Sequence, residues 1–154
     1  MERSYVMIKP DGVQRRLVGK IVSRIEEKGL RVAALRMFRM ERERAEKLYE
    51  VHKGKGFYPG LVNFVTSSPV VAMVIEGPGA IAMIRKMMGA TFGPNAEPGT
   101  IRGDFGASRS FNLIHGSDSP ESASREIPIF FGEKEIAGWE PIDEAWVYDT
   151  EDKR

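Results

Sequence analysis

The run Val70-Val71-Ala72-Met73-Val74-Ile75 constrains the fold most, because it is the most apolar segment of the chain. It is far shorter than the roughly 18 apolar residues that a membrane span requires. A short, uninterrupted apolar run is typical of a strand that is buried on both faces. The sequence therefore predicts a sheet in which Val70–Ile75 is a central strand.

The segments around this strand alternate between strand and helix patterns. Tyr5–Ile8 is a short apolar strand that ends at the turn signal Lys9-Pro10-Asp11-Gly12. From Val18, apolar residues recur at intervals of three and four, which predicts a helix that stops at Gly29. The next predicted elements are a strand over Leu30–Met40, a charged helix from about Arg42 to Lys53 and a short helix over Pro59–Thr66. After the central strand come a helix in which Ile81, Ile84 and Met88 face inward and a long loop over Gly89–Arg109. The last elements are the end of a strand at Leu113 and Ile114 and a helix over Pro120–Phe131.

This order predicts an α/β fold of the α+β kind, with a ferredoxin-like split βαβ arrangement. Its four-stranded antiparallel sheet would carry helices packed on it, and an inserted helix pair would link the second and third strands. A right-handed crossover places the first and third strands side by side in the centre, with Lys9 at the end of one of them. The loop Gly89–Arg109 is long for a compact domain, and such loops are usually functional.

Length and composition indicate one globular domain over residues 1–154. With 42% hydrophobic residues, the chain can fill one substantial core, and we expect residues 133–154 to form a tail that packs on the domain or on a neighbouring subunit. The net charge of +1 gives no reason to expect broad binding to nucleic acid or to a membrane. The sequence has no cysteine and no apolar leader, so we expect a cytoplasmic protein.

His115 is the first candidate for chemistry. It follows the predicted strand end at Leu113–Ile114 and precedes Gly116, where the strand would give way to a turn. Ser119-Pro120 is a good start for the next helix, and Glu126 lies about two turns into that helix, within possible reach of the imidazole. A histidine held by a carboxylate suits a nucleophile or a proton carrier. The alternative is a strand-end histidine that only caps the backbone.

Neither standard phosphate loop is present, because the chain has no Walker A pattern and its glycines near residue 56 miss the dinucleotide spacing. Side chains would have to hold a phosphate, and Arg85, Thr91 and Arg102 are suitable donors. The simpler interpretations are a solvated helix face for Arg85, a loop cation for Arg102 and an exposed position for Lys9.

Two other side chains have open interpretations. Phe57 follows a glycine-rich break, where its ring either offers a base a stacking surface or starts a small hydrophobic cluster. His52 lies near a helix C-terminus, where a cation interacts favourably with the helix dipole. We assign it no role.

In combination, these stretches resemble nucleoside diphosphate kinases over roughly Ser4 to Gly132. The matching stretches are Ile8-Lys9-Pro10-Asp11-Gly12-Val13-Gln14-Arg15, Pro98-Gly99-Thr100-Ile101-Arg102-Gly103-Asp104-Phe105 and Asn112-x-Ile114-His115-Gly116-Ser117-Asp118-Ser119. The resemblance implies a ferredoxin-like fold, Mg²⁺, and ping-pong transfer of a γ-phosphoryl group between nucleoside tri- and diphosphates through a phosphohistidine. It also implies a homo-oligomer, a hexamer or alternatively a tetramer.

The resemblance further implies roles for individual residues. His115 matches the phosphorylated nucleophile, Glu126 the carboxylate that orients it, and Asp118 a residue associated with the metal, which is held mainly through nucleotide phosphates. Lys9 and Asn112 match positions that contact ribose and phosphate, and Lys9 is also counted as catalytic. The positions that contact phosphate are Tyr49, Arg85, Thr91 and Arg102. Phe57 and Leu61 match the positions that hold the base, and Ser117 matches a residue near the histidine.

Two stretches depart from the family pattern. The family commonly has Thr-Asn-Pro where this chain reads Thr91-Phe92-Gly93-Pro94, and Ser108-Arg109-Ser110-Phe111 before Asn112 is also unusual. Both departures concern base-side contacts and loop packing rather than the histidine chemistry. We expect similar efficiency with purines and pyrimidines, because Phe57 and Leu61 carry no group that reads a base edge. Arg109 is the first candidate for a residue that would read it.

Two other functions are weighed against this one. A histidine phosphatase also needs a histidine before a glycine, but those enzymes carry Arg-His-Gly, whereas Ile114 precedes His115 here. A ferredoxin-like RNA-binding module would expose stacking aromatics on its central strands, and Val70–Ile75 contains none.

Overall fold

The computed structural model describes residues 1–153, whose strands and helices follow the predicted order closely. The strands are β1 (Glu2–Ile8), β2 (Arg31–Phe38), β3 (Val70–Gly77) and β4 (Ile114–Gly116), and the helices are α1 (Pro10–Gln14), α2 (Val18–Glu27), α3 (Arg42–Leu48), α4 (Tyr58–Val65), α5 (Ala80–Met88), α6 (Ile101–Phe105), α7 (Pro120–Phe130) and α8 (Glu144–Val147). Short 3₁₀ turns lie at Glu50–His52, Gly93–Asn95 and Glu133–Glu135.

The four strands form one antiparallel sheet in the order β2-β3-β1-β4. As predicted, β1 and β3 occupy the centre, and β3 is buried along its whole length. Helices α3 and α4 are the inserted pair between β2 and β3. The predicted α+β fold, with a ferredoxin-like sheet, is therefore confirmed.

The side chains of β1 alternate between two hydrophobic clusters, because successive residues of a strand point to opposite faces. Tyr5 and Met7 pack with buried residues of α3, α4 and α7. Val6 and Ile8 pack with buried residues of α2 and α5. Both faces of the central strands are thus covered, so they offer no open surface on which RNA bases could stack.

Local signals mark the ends of α2 and α7 as the sequence predicted. Helix α2 buries Ile21 and Ile25 and is followed by Gly29, whose φ of +94° is a conformation that glycine adopts easily. The Ser119 side chain caps α7 by accepting a hydrogen bond from the Ser122 N–H at 3.1 Å.

Two predicted turn and loop segments are helical instead. Pro10 begins the short helix α1 where the sequence suggested only a sharp turn, since proline fits the first helical position. The predicted loop Gly89–Arg109 contains α6, which begins where the Thr100 hydroxyl accepts a bond from the Gly103 N–H at 2.9 Å. A helix of about one turn is too short to show the periodicity that sequence patterns detect.

Two other predicted boundaries were wrong. The charged helix predicted to reach Lys53 ends at Leu48, because Tyr49 leaves helical geometry with φ −101° and ψ 18°. The strand predicted to end at Leu113 and Ile114 instead begins at Ile114, so His115 is the middle residue of β4.

The segment after α7 runs beside the edge strand β2. The Ala137 N–H donates to the Ala33 carbonyl at 2.8 Å, and the Trp139 indole N–H donates to the Val32 carbonyl at 3.3 Å. The Arg31 guanidinium donates to the Trp139 carbonyl. These bonds cover part of a strand edge that would otherwise be open to another chain. No helix within residues 1–153 is long and apolar enough to cross a membrane.

The Tyr5 hydroxyl is fully buried and has no hydrogen-bond partner among the described residues. We expect Tyr5→Phe to raise the free energy of unfolding by about 1 kcal/mol, because it removes a buried polar atom that folding leaves unsatisfied. Urea titrations at one fixed protein concentration would measure the change.

Tyr148→Phe is the matched control, since its hydroxyl donates to the Gly29 carbonyl at 2.7 Å. That variant should lose about 1 kcal/mol. A loss of stability in Tyr5→Phe would show that the Tyr5 hydroxyl has a partner after all.

Candidate active site

His115 and Glu126 meet as the sequence suggested. The imidazole Nε2 lies 2.9 Å from Glu126 Oε1, and the carboxylate is buried while the His115 side chain keeps 18% of its surface exposed. Because a carboxylate accepts hydrogen bonds, this contact assigns the proton of the neutral imidazole to Nε2. Nδ1 is then left with a free electron pair, as a nucleophile requires.

Ser117 links Glu126 to the backbone of β1. Its hydroxyl donates to Glu126 Oε1 at 2.8 Å and accepts from the Tyr5 N–H at 3.1 Å. Ser117 is completely buried. The carboxylate that orients His115 is thus held in place by a central strand of the sheet.

Leu113 forms a strained γ-turn directly before β4. Its φ is +72°, and the Ile114 N–H donates to the Asn112 carbonyl at 2.8 Å across it. The Lys9 N–H donates to the Leu113 carbonyl at 2.8 Å, and the Leu113 N–H donates to Asp11 Oδ2 at 3.1 Å. Hydrogen bonds with Lys9 and Asp11, the residues that flank Pro10, therefore hold the turn.

Asn112 connects three of the other predicted site residues. Lys9 Nζ donates to Asn112 Oδ1 at 2.8 Å, and Asn112 Nδ2 donates to the Thr91 carbonyl at 2.9 Å. Arg102 Nε donates to the Asn112 carbonyl at 3.1 Å. Lys9 is far from Thr91, Arg102 and Asn112 in the sequence, but the fold brings it to them.

Arg102 and Lys9 are buried, which overturns the simpler interpretations of a loop cation and an exposed lysine. Arg102 lies on α6 and also donates to the Gly89 and Ile114 carbonyls, at 3.2 and 2.7 Å. A guanidinium has five N–H groups, so these three bonds to backbone do not exhaust its donors.

Both buried cations have lowered pKa values. Burial, together with the charge of Arg102, lowers the pKa of Lys9 to about 8, while Asp11 opposes this shift. Burial, followed by the charge of Arg85, lowers the pKa of Arg102 to about 10. An anion that enters between these groups would stabilise their charged forms.

Arg85 and Asp118 lie at the exposed edge of this site. Arg85 is exposed on α5, yet its charge contributes to the lowered pKa values of both Arg102 and Asp118. The pKa of Asp118 is lowered chiefly because the Ser122 hydroxyl donates to its Oδ1 at 2.6 Å. Thr91 is also exposed.

Aromatic rings extend outward from His115. The buried Tyr49 ring meets the imidazole edge-on, with centroids 6.0 Å apart, and its hydroxyl has no partner among residues 1–153. His52 lies 6.3 Å from the Tyr49 ring and 5.2 Å from the Phe57 ring. Phe57 is 56% exposed, and Leu61, one turn further along α4, packs against the core. The aromatic residues thus place the buried Tyr49 ring near the histidine and the exposed Phe57 ring at the surface.

Sequence reasoning missed His52 and Asp11. Partial burial, followed by the charge of Lys55 and an electrostatic contribution from His115, lowers the pKa of His52. The only sequence signal was its position between Tyr49 and Phe57. Asp11 was interpreted as part of a turn signal, whereas its carboxylate holds the Leu113 turn.

The two stretches that depart from the resemblance pack against each other. The Arg109 guanidinium lies 4.4 Å from the centre of the Phe92 ring, and the Gly93 N–H donates to the Ser108 carbonyl at 3.3 Å. A Cβ at residue 93 would come within 2.2 Å of the Gly106 carbonyl oxygen, so this approach requires glycine. The two departures therefore belong to one packed unit.

The described residues contain no group of three or more His, Cys, Asp or Glu side chains that could hold a metal ion. A single carboxylate, Asp118, is present at the edge of the site, and its lowered pKa favours the charged form. Mg²⁺ commonly keeps several waters and binds through one or two carboxylates together with substrate phosphates. The residues present fit a Mg²⁺ ion that a nucleotide brings.

Comparisons with known proteins find relatives that match most of the chain. The family model for nucleoside diphosphate kinase matches residues 2–136. A nucleoside diphosphate kinase of Thermosynechococcus vestitus is 57% identical over 97% of this chain and 99% of its own length, and one of Archaeoglobus fulgidus is 53% identical over the same shares. The structure of a halophilic nucleoside diphosphate kinase from Halobacterium salinarum in complex with CDP matches with a TM-score of 0.94 and 49% identity, over 96% of this chain and 99% of that one.

Proposed function

The chain belongs to the nucleoside diphosphate kinase family, and we propose that it transfers a γ-phosphoryl group from a nucleoside triphosphate to a nucleoside diphosphate through a phosphohistidine at His115. The observation that carries this proposal is the 2.9 Å contact between His115 Nε2 and the buried Glu126 carboxylate. It leaves Nδ1 as the nucleophilic nitrogen, beside two buried cations.

In the first step, Nδ1 of His115 attacks the γ-phosphorus, and the bond from that phosphorus to the β,γ-bridging oxygen breaks. The electron pair of this bond leaves with the nucleoside diphosphate. The imidazole keeps its Nε2 proton and gains positive charge, which the Glu126 carboxylate offsets. In the second step, a terminal oxygen of another nucleoside diphosphate attacks the same phosphorus, and Nδ1 departs.

The remaining site residues bind and neutralise the phosphates. Lys9 and Arg102 supply charge deep in the site, while Arg85 and Thr91 supply donors at its exposed edge. The Tyr49 ring lies edge-on to His115, and its hydroxyl, which has no partner among residues 1–153, is the group we assign to a phosphate oxygen. Asn112 positions Lys9 through its 2.8 Å bond. We also assign Asn112 a contact with the ribose.

Mg²⁺, when a nucleotide brings it, neutralises phosphate charge and orients the phosphate chain. Asp118 is the residue that would help to hold this ion, which binds mainly through the nucleotide phosphates. Its bond from the Ser122 hydroxyl holds the carboxylate at the edge of the site.

Radiolabelled ATP tests the covalent step. With Mg²⁺ and γ-labelled ATP, the chain should gain an acid-labile, alkali-stable label that His115→Ala lacks. His52→Ala, which removes the only other histidine, should keep the label. Glu126→Ala should stay folded but form the label about 10² to 10⁴ times more slowly. Labelled His115→Ala protein would refute the assignment.

Addition of a second, different nucleoside diphosphate then distinguishes the reaction classes. A new nucleoside triphosphate identifies a kinase, and free phosphate identifies a phosphatase.

We expect broad base specificity. Phe57 offers an exposed ring that stacks on any base, and neither Phe57 nor Leu61 has a polar group that could read a base edge. Values of kcat/KM for ATP, GTP, CTP and dTTP should lie within about two orders of magnitude. A preference of about 10⁴ would mean that a polar group reads the base. Arg109→Ala would then show whether that group is the guanidinium now stacked on Phe92.

We also propose that the chain assembles into a homo-oligomer, with a hexamer as the first expectation and a tetramer as the alternative. Leu35 and Met37 on the edge strand β2 are 51% and 57% exposed, and Trp146 near the C-terminus is 92% exposed. Large apolar side chains this open are common at subunit interfaces. Light scattering should give six or four times the 17.3 kDa chain mass, and a monomer would contradict the proposal.

A further inference from the structure

Asp11 occupies a central position in the site although it was not among the predicted site residues. Its Oδ2 accepts a hydrogen bond from the Leu113 N–H at 3.1 Å. The other oxygen, Oδ1, is buried without a hydrogen-bond partner among residues 1–153. Burying a carboxylate oxygen without a partner costs free energy, so its presence here calls for an explanation.

The bond to Leu113 restrains a conformation that a leucine adopts rarely. Leu113 is completely buried, has a φ of +72°, and stands between Asn112 and the first residue of β4. Strained residues of this kind persist only where their surroundings determine them fully. Here the Lys9 N–H holds the carbonyl of Leu113, and Asp11 holds its N–H.

The charge of Asp11 acts on both buried cations. It raises the pKa values of Lys9 and Arg102, against the lowering caused by burial and by neighbouring cations. Lys9 also acts on His52, whose pKa its charge helps to lower. Asp11 is thus the carboxylate that compensates the charge of the pair.

We propose that Asp11 is a positioning residue of the phosphoryl-transfer site, which holds the Leu113 turn through one carboxylate oxygen and supplies the negative charge that offsets Lys9 and Arg102. This inference rests on the proposed function. It assigns Asp11 no contact with substrate. Asp11 acts through the cations and through the backbone that leads to His115.

Two variants separate the two roles. Asp11→Asn keeps an oxygen that accepts the Leu113 N–H but removes the charge, whereas Asp11→Ala removes both. Asp149→Asn is the matched control, because Asp149 Oδ1 accepts from the Glu151 and Asp152 N–H groups at 2.8 and 3.1 Å in the C-terminal segment. Thermal unfolding first establishes which variants are folded.

The charge role is measured on Lys9 itself. In protein with ¹³Cε-labelled lysine, one resonance should titrate with a midpoint near 8 and be missing from Lys9→Arg. In Asp11→Asn that midpoint should fall by about one pH unit or more, since an opposite charge has been removed. Lys9 is charged below its midpoint and neutral above it. As the pH rises, kcat/KM of Asp11→Asn should therefore begin to fall at a lower pH than kcat/KM of the wild type. At pH 6 the variant should approach wild-type activity.

The backbone role is measured by hydrogen exchange in a peptide that covers residues 110–115. Asp11→Ala should accelerate exchange at the Leu113 amide by about tenfold, and Asp11→Asn should leave it nearly unchanged. Asp149→Asn should match wild type in every measurement. If Asp11→Ala cannot fold, Asp11→Asn alone still tests the charge role.

An unchanged Lys9 midpoint in Asp11→Asn would overturn the inference, whatever the activity. An activity loss in Asp11→Asn that is equal at all pH values would also overturn it, because a general structural defect does not follow the protonation of Lys9. Failure of the proposed function would look different. The wild-type chain would then form no triphosphate, while the midpoint and the exchange rates still responded to Asp11.

Discussion

The backbone hydrogen bond from Lys9 to Leu113 joins the two halves of the site. It continues the ladder between β1 and β4 one residue beyond the pair Ile8 and Ile114. At the other end of the same ladder, the Ser117 N–H donates to the Tyr5 carbonyl at 3.0 Å. Strand β4 is so short that its position depends on these bonds. The imidazole is therefore aligned by its registration on β1, the strand that also delivers Lys9.

The electrostatics of the site depend on this alignment. Lys9 and Arg102 are buried close together, an arrangement that costs free energy because burial and mutual repulsion both disfavour their charges. The backbone carbonyls around Arg102, the Asn112 amide and Asp11 reduce that cost without removing it. A bound polyphosphate chain would supply the negative charge that offsets the cost of burying these two cations. The protein folds into a site that is complementary to a polyanion before any substrate enters, so little reorganisation is needed during transfer.

The sequence predicted the sheet and its helices because their signals are local. Repeated apolar residues from Val18 to Ile25 define a helix face, and the uninterrupted run Val70–Ile75 indicates a buried strand. The encounter of His115 with Glu126 was also within reach of sequence reasoning, because a capped helix start sets the distance between them. Site residues that depend on local spacing were therefore the easiest to place.

Features that depend on distant residues were not predictable in this way. The γ-turn at Leu113 exists because Asp11, about a hundred residues earlier, accepts its N–H. The burial of Arg102 requires the carbonyls of Gly89, Asn112 and Ile114 to converge on its guanidinium. No periodicity in the sequence predicts that convergence. His52 joins the site only because the chain leaves helical geometry at Tyr49. In each case the residues adjacent in the sequence did not indicate which distant residues would be in contact.

The pairing of β4 with β1 has a consequence for the order in which the protein assembles. Contacts such as the one from Tyr5 to Ser117 close a loop of 112 residues. Closure of so long a loop is entropically unfavourable until other contacts have shortened it, and topologies rich in such contacts fold slowly. On a ribosome, β1 emerges first but must wait for β4, its outer neighbour, which lies about three quarters of the way along the 154-residue chain. His115 is therefore placed late in folding, and a chain in which it meets Glu126 has already paired β4 with β1.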